Sequence, residues 1–189
     1  MGYRCRWIAM RDRDRDDVLA KLSFHVAREL REPAYGPGLF ALDVDGWLVI
    51  IGDGWDYMDL VTRDAAANLS SGPGPGFGTG DGEVLYFYTD DEPMCAELAS
   101  FVDGRVAWSV TYDGSNGVAQ PLLEGTLPAP AAPVMVATHQ AQHAEGTPGV
   151  DHMYEFAPEL GRALVAGFRH DQTLSSGLYL PVYELTQVS

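Results

Sequence analysis

Acidic and large aromatic side chains are densest between positions 43 and 59, where five aspartates accompany two tryptophans and a tyrosine. Exposed aromatic rings anchor protein interfaces, and carboxylates steer the encounter and pair with Arg or Lys of a partner. The composition therefore predicts a surface that binds a basic protein. The residues of this predicted surface are Asp43, Asp45, Asp53, Trp55, Asp56, Tyr57 and Asp59. The alternative interpretation is structural, with Asp56 capping a helix and Trp55 buried.

Two histidines have a spacing that could bind a metal ion. His139 and His143 lie four residues apart in a predicted helix, which places both rings on one face, and Asp151 or His152 could supply a third ligand. Gln140, however, stands where a zinc protease would have its glutamate base. The alternative is an exposed polar helix face. We predict no metal site, and whether the two histidines bind a metal stays open.

Other patterns that could support catalysis are incomplete. The glycines of the loop at 70–82 recur at every second position and match no phosphate-binding signature, and no lysine accompanies them. Asp12, Asp14 and Asp16 are spaced as in a calcium loop that lacks its glycine and its final carboxylate. Cys95 would need a nearby histidine to act as a nucleophile. We therefore predict no enzyme activity and no cofactor, with an enzyme of unfamiliar design as an alternative.

The charge of the chain is unevenly distributed along the sequence. The 12 Lys and Arg residues against 27 Asp and Glu residues give a net charge of −15. Positions 1–31 hold 8 basic and 5 acidic residues, which is +3, whereas positions 32–189 hold 4 basic and 22 acidic residues, which is −18. Such a field repels nucleic acid and anionic membranes and attracts basic partners. We therefore expect a basic protein partner, and no binding to nucleic acid or membranes.

The termini and the cysteines indicate a compartment. The first residues, MGYRCRWIAM, have arginines on both sides of a short apolar stretch, which is not typical of a signal peptide. The longest apolar run, 47–51, is far shorter than the roughly 20 residues that cross a bilayer. Two cysteines without an export signal are expected to be buried thiols in a reducing compartment. We therefore expect a cytoplasmic protein.

Asp-Gly turns organise the predicted strands. Asp45-Gly46 and Asp103-Gly104 have the chemistry of tight hairpin turns between two alternating segments each. The predicted strands are 3–10, 39–43, 47–52, 83–89, 95–102, 105–112 and an edge strand at 179–185. Since hairpins need no crossover helix, we expect an α+β protein with a mainly antiparallel sheet of about five to seven strands and helices packed on it.

The predicted helices concentrate toward the C-terminus. Apolar spacings of three and four residues predict helices from about 12 to 24 and at 56–69, 134–144 and 157–168. The proline-rich segment 126–133 is expected to be a linker before a helical C-terminal third, and the glycine-rich loop 70–82 is expected to be flexible. We interpret residues 1–189 as a single α+β domain.

Four short motifs carry a resemblance to known proteins. They are the W-[IF]-A-[MV]-R strand at 7–11, G-x-D-Y-x-D at 54–59, D-G-R-x-x-W at 103–108 and G-F-R-H-D at 167–171. With these motifs the chain resembles a group of small uncharacterised bacterial proteins, some of which are similar to immunity proteins of secreted or polymorphic toxins. The resemblance implies an antitoxin-like protein that neutralises a cognate toxin by stoichiometric binding. A regulatory protein-binding module is the alternative.

Overall fold

The computed structural model describes residues 4–30, 37–71, 82–116, 120–144, 151–173 and 181–188. Most of the predicted flexible loop, at 72–81, lies outside the described residues. Nine strands form in the described parts of the chain. They are β1 Arg4–Arg11, β2 Phe24–Leu30, β3 Gly38–Val44, β4 Trp47–Asp53, β5 Val84–Asp90, β6 Cys95–Val102, β7 Arg105–Asp113, β8 Leu122–Gly125 and β9 Val182–Gln187.

All nine strands belong to one sheet, in the order β2-β9-β3-β4-β1-β5-β6-β7-β8, and every neighbouring pair is antiparallel. The predicted α+β class with an antiparallel sheet is confirmed. The predicted count of five to seven strands is too low, because β2 and β8 carry mostly exposed residues and show no alternation. The predicted edge strand is also misplaced, since β9 lies between β2 and β3.

The helices are spread along the chain. Their bounds are α1 Arg15–Lys21, α2 Trp55–Met58, α3 Arg63–Ser70, α4 Ala131–Ala144, α5 Phe156–Leu164 and α6 His170–Thr173, with 3-10 helices at Gly114–Asn116 and His152–Glu155. The predicted helical C-terminal third contains α4, α5 and α6, but the described helices are not confined to it, because α1, α2 and α3 precede it and its last described element is the strand β9. No helix in the described ranges has both the length and the apolar character that crossing a membrane requires.

Two predicted helix boundaries differ from the observed ones, each for a local reason. The helix expected over 56–69 is two helices, because the Thr62 hydroxyl accepts a hydrogen bond from the Ala65 amide and starts α3 anew. Conversely, α4 begins at Ala131, inside the predicted linker. Pro133 is tolerated there because the first-turn amides of a helix have no intrahelical acceptor.

Both faces of the sheet are buried. On the α5 face, Trp7 stacks on Phe87 with ring centroids 5.0 Å apart and meets the edge of Phe168 at 5.9 Å. On the opposite face, which we call the α3 face, Ile8 and Ile50 belong to the core that α1 and α3 cover. The central strands therefore read as continuous apolar runs, as strands covered on both sides do.

One end of the sheet gathers polar residues from distant parts of the sequence. Here β1 and β6 begin and β4, β5 and β7 end: Cys5 pairs with both Asp53 and Thr89, and Cys95 pairs with Asp113. We call this the Arg4 end of the sheet. Antiparallel pairing thus brings the start of β1 together with the ends of β4 and β5, which lie more than 40 positions away in the sequence.

Candidate functional site

The predicted acidic and aromatic surface is divided between the two ends of the sheet. Asp43 and Asp45 lie beside the β3–β4 turn, and Asp53 lies at the other end of β4. The extended chain between Asp45 and Asp53 spans about 25 Å. The structure therefore brings together Asp53 and the residues that follow it, at the Arg4 end, and leaves Asp43 and Asp45 apart from them.

Trp55 is the most exposed aromatic anchor of the predicted surface. Gly54, at φ 83, turns the chain out of β4, and its amide donates to the Arg4 carbonyl at 3.0 Å. The ring of Trp55 is 67% exposed. The Arg4 guanidinium carbon lies 3.5 Å from the ring centroid and holds one face of the indole. The alternative interpretation of a buried Trp55 is wrong.

Arginines of β1 neutralise part of the acidic charge around Trp55. Arg4 pairs with Asp90 at 2.8 Å and with Glu92 at 2.6 Å. Arg6 pairs with Asp59 at 3.1 Å. The basic and acidic stretches of the sequence are therefore mixed in space, because β1 is inserted between strands from the acidic part of the chain.

The remaining predicted residues differ in exposure. Asp56 is exposed, and within the part of the chain that the structure describes it has no ion-pair partner. Tyr57 is half-buried and packs on the core of the α3 face. We use the name Trp55 patch for the exposed residues Trp55, Asp56, Asp59 and Glu92 together with the largely buried Arg4, which supports the indole.

A cavity of about 600 Å³ opens on the α5 face of the same sheet end. Three segments contribute to its lining: the turn after β5, the 3-10 helix His152–Glu155 and the residues that begin α6. Tyr154 is a buried residue of this lining. We call this space the Tyr154 cavity. Members of the Trp55 patch are absent from the lining that the structure describes.

Hydrogen bonds fix the Tyr154 ring at the base of the cavity. The Tyr154 hydroxyl donates to Asp91 at 2.5 Å and is also hydrogen-bonded to the Thr89 hydroxyl. Because a phenol has one proton, which goes to the carboxylate, Thr89 is the donor of the second bond. Burial and the hydrogen bond to Asp91 raise the pKa of Tyr154, so the phenol stays protonated.

A second phenol fixes a carboxylate on the opposite side. The Tyr112 hydroxyl donates to Asp151, which also accepts from the Met153 amide at 3.1 Å and so caps the 3-10 helix. The rings of Tyr112 and Tyr154 meet edge to face with centroids 6.4 Å apart. Two carboxylates of the cavity are therefore held by neutral donors.

His170 is a neutral histidine in the cavity lining. It is only 6% exposed, and its ring lies against Phe87 with centroids 5.1 Å apart. Burial lowers the pKa of His170 to about 4. The Arg169 charge acts in the same direction, and Asp171 and Asp91 oppose it. At neutral pH the imidazole is therefore uncharged.

Arg169 is the cationic group of the cavity. Its guanidinium contacts Glu155 at 2.7 Å and Asp171 at 2.8 Å, and it also pairs with Glu159. These hydrogen bonds and charges raise the pKa of Arg169 although burial alone lowers it. Arg169 is thus held in place by its ion pairs as part of the cavity lining.

Sequence reasoning noted 167–171 as a motif but missed the cavity that it lines. The signal was the Arg-His-Asp run directly after the buried Phe168, because charged residues so close to a core position usually line a site or pair within it. Asp91 and Asp151 gave no such signal, since nothing in the sequence relates them to each other.

The surroundings of the two cysteines and of His139 and His143 bear on the predicted thiol and metal chemistry. Neither cysteine forms a disulfide. Burial, followed by hydrogen bonding to Asp113, raises the pKa of Cys95, so its thiol is not activated. His139 and His143 do share a helix face, with parallel rings 6.5 Å apart. Among the described residues, no group of three His, Cys, Asp or Glu side chains is arranged to hold a metal ion.

Comparisons with known proteins add no assignment. A scan against protein-family models found no match, and neither did searches of the curated proteins and of the solved structures. The resemblance to immunity proteins therefore stays a prediction. The chemistry of the Trp55 patch and of the Tyr154 cavity is the basis for a proposed function.

Proposed function

We propose that this chain is a cytoplasmic immunity protein, antitoxin-like in action, which neutralises a basic toxin by stoichiometric binding through the Trp55 patch. The observation that carries the proposal is the exposed indole of Trp55, with carboxylates at its border. An exposed tryptophan is a typical anchor of a protein interface. A binding protein of this kind needs no catalytic residues of its own.

The held orientation of Trp55 supports a binding role. The Arg4 guanidinium lies against one face of the ring, and Asp90 and Glu92 in turn hold Arg4. Since 67% of Trp55 is exposed, much of the indole is accessible to a pocket of a partner. An anchor that is already oriented loses less conformational entropy on binding than a mobile one.

The net charge of −15 supports a basic partner. Toxins that act on nucleic acids or nucleotides need basic active sites, and an acidic protein is drawn to such a surface. Occlusion then follows from the size of a standard interface, roughly 800 Å² on each partner, which is enough to cover an active site.

The experiment is co-expression of the chain with the toxin encoded beside its gene. We expect growth to be rescued and the two proteins to co-purify in a 1:1 complex. Trp55→Ala should weaken the complex by about 2 kcal/mol or more, which is roughly 30-fold, as loss of a tryptophan anchor does. Affinity is measured by calorimetry at two salt concentrations.

A matched pair of charge reversals tests the location of the surface. Asp56→Lys and Asp43→Lys make the same charge change at exposed positions on opposite ends of the sheet. Asp56→Lys should slow association, and Asp43→Lys should leave it almost unchanged. Equal effects would place the interface elsewhere. Capture of a basic protein without protection of cells would favour the regulatory protein-binding module instead.

A further inference from the structure

The Tyr154 cavity has the size and lining of a ligand site. Its volume of about 600 Å³ falls in the range of roughly 300–1,000 Å³ that small-molecule sites occupy. Met94 and Pro158 supply apolar wall, and the rings of Tyr154 and His170 supply aromatic wall. Convergent polar groups on apolar and aromatic walls are the usual composition of a site that orients a ligand.

The charge of the lining selects a cation. Asp91, Asp151, Glu155 and Asp171 contribute four carboxylates to the lining, against the single guanidinium of Arg169. Hydrogen bonds from Tyr154 and Tyr112 orient two of these carboxylates. A positively charged group entering the cavity therefore meets carboxylates that are already positioned.

The combination of aromatic rings and carboxylates in the lining favours a planar cation. A guanidinium stacks on aromatic faces and donates hydrogen bonds to carboxylates in its own plane, whereas an ammonium is a compact and strongly hydrated point charge. Arg4 is held in this way, between the Trp55 ring and two carboxylates. At the Tyr154 cavity, Arg169 shows the carboxylate part of the same pairing, with three carboxylates around its guanidinium.

We propose that the Tyr154 cavity binds a guanidinium group. The group comes either from an arginine side chain of a protein partner or from a free guanidinium compound. The inference goes beyond the proposed function, because it concerns the opposite face of the sheet and can be tested on the purified chain without a partner.

The first experiment uses two nearly isosteric probes. Nα-acetyl-arginine amide and Nα-acetyl-citrulline amide differ in the charge of the terminal group. NMR titration of the full chain should show binding of the arginine probe, with shifts at the amides of Met94 and Tyr154. The citrulline probe should bind at least about tenfold more weakly, since charge-assisted hydrogen bonds are lost. Equal binding of both probes, or shifts centred on Trp55, would overturn the proposal.

A matched pair of substitutions tests the cavity itself. Asp151→Asn removes one charge and keeps one oxygen, which can still accept from the Met153 amide and cap the 3-10 helix. The asparagine NH2 takes the place of the second carboxylate oxygen and can donate to the Tyr112 hydroxyl oxygen, so we expect the fold to be preserved. Asp56→Asn removes the same charge on the other face. The first variant should bind the arginine probe about tenfold more weakly and the second should bind as the parent does. An unaltered affinity of a folded Asp151→Asn chain would refute the site.

A competition experiment distinguishes the two sources of the guanidinium. If the arginine probe is displaced when a toxin binds, the cavity receives an arginine side chain of that partner. If both bind together, the cavity serves a free guanidinium compound. Failure of toxin rescue with intact probe binding would overturn the proposed function alone, whereas rescue without probe binding would overturn this inference alone.

Discussion

Two arginines at the same end of the sheet are held by carboxylates in different surroundings. The side chains of Arg4 and Arg169 are 11% and 12% exposed. The partner Asp90 of Arg4 is 7% exposed, whereas the three carboxylates around Arg169 are each about a third exposed. Arg4 thus compensates a buried charge, and Arg169 balances groups that water still reaches.

This difference matches a structural role for the Arg4 pairing and the proposed cation binding at the Tyr154 cavity. A buried carboxylate such as Asp90 depends on its arginine, because no solvent replaces the pairing. Carboxylates at an open cavity can exchange partners at low cost, which is what a site for an incoming cation requires. The Trp55 patch therefore has a rigid base under an exposed ring, and the Tyr154 cavity has a wall that remains open to further pairing.

In the comparison of the two regions, the largest expected loss of stability comes from replacing Arg4, and replacing Arg169 is its matched counterpart. Arg4→Met keeps much of the aliphatic packing but leaves Asp90 buried without its cation, so we expect the free energy of unfolding to fall by about 3 kcal/mol. Arg169→Met should cost about 1 kcal/mol, because its partners are partly solvated. Urea denaturation measures both variants.

The two arginine substitutions should also differ in their effect on binding of the arginine probe. Arg169→Met leaves three carboxylates of the cavity region without their guanidinium and should strengthen binding of the arginine probe, whereas Arg4→Met should leave probe binding unchanged. Equal loss of stability for the two variants would contradict the difference in burial that defines the comparison.

The next largest effect is the change of stability with pH that follows from the neutral state of His170. Its pKa is lowered to about 4 in the folded chain, whereas an unfolded histidine titrates near about 6.5. Between these values the unfolded chain binds the extra proton, so stability is complete above about pH 6.5 and is lost as the pH falls toward 4. We expect His170 to account for about 2 kcal/mol of the stability lost between pH 7 and pH 5.

The contribution of His170 can be isolated by differences within each variant. His170→Gln should reduce the stability difference between pH 7 and pH 5, whereas His25→Gln, at an exposed position, should leave it as in the parent. The carboxylates Asp91 and Asp171, which lie near His170, are present in all three chains and form a common background for the comparison. An unchanged difference in His170→Gln would show that the imidazole is charged in the folded protein.

The parts of the fold that were predictable depend on local chemistry. The Asp-Gly hairpin turns were predictable because a tight hairpin turn needs residues that tolerate positive φ, and Asp-Gly provides them. The structure shows such angles at Asp45 (45°) and Gly46 (80°). β2 was missed because its sequence FHVAREL has no clear alternation and its partner β9 lies more than 150 positions away. Pairing over that distance leaves no mark in the local pattern.

The candidate site was predictable only in part for the same reason. The exposed Trp55 follows from an aromatic residue placed after a strand among aspartates. Its support by Arg4 depends on the register of β1 against β4, and the Tyr154 cavity depends on three segments around Asp91, Asp151 and His170. Side chains that meet only through sheet register cannot be related by spacing along the chain.

The smallest expected effect on stability belongs to Trp55, the residue that we propose as the main binding anchor. Trp55→Ala removes an exposed ring and should change the free energy of unfolding by no more than about 0.5 kcal/mol, because the substitution leaves Arg4 paired with Asp90 and Glu92. Trp7→Ala, in the core of the α5 face, is the matched control and should cost about 4 kcal/mol. If Trp55→Ala destabilises the chain by a comparable amount, the indole is a structural cover for Arg4. A small loss instead leaves binding as the reason for an exposed tryptophan at this position.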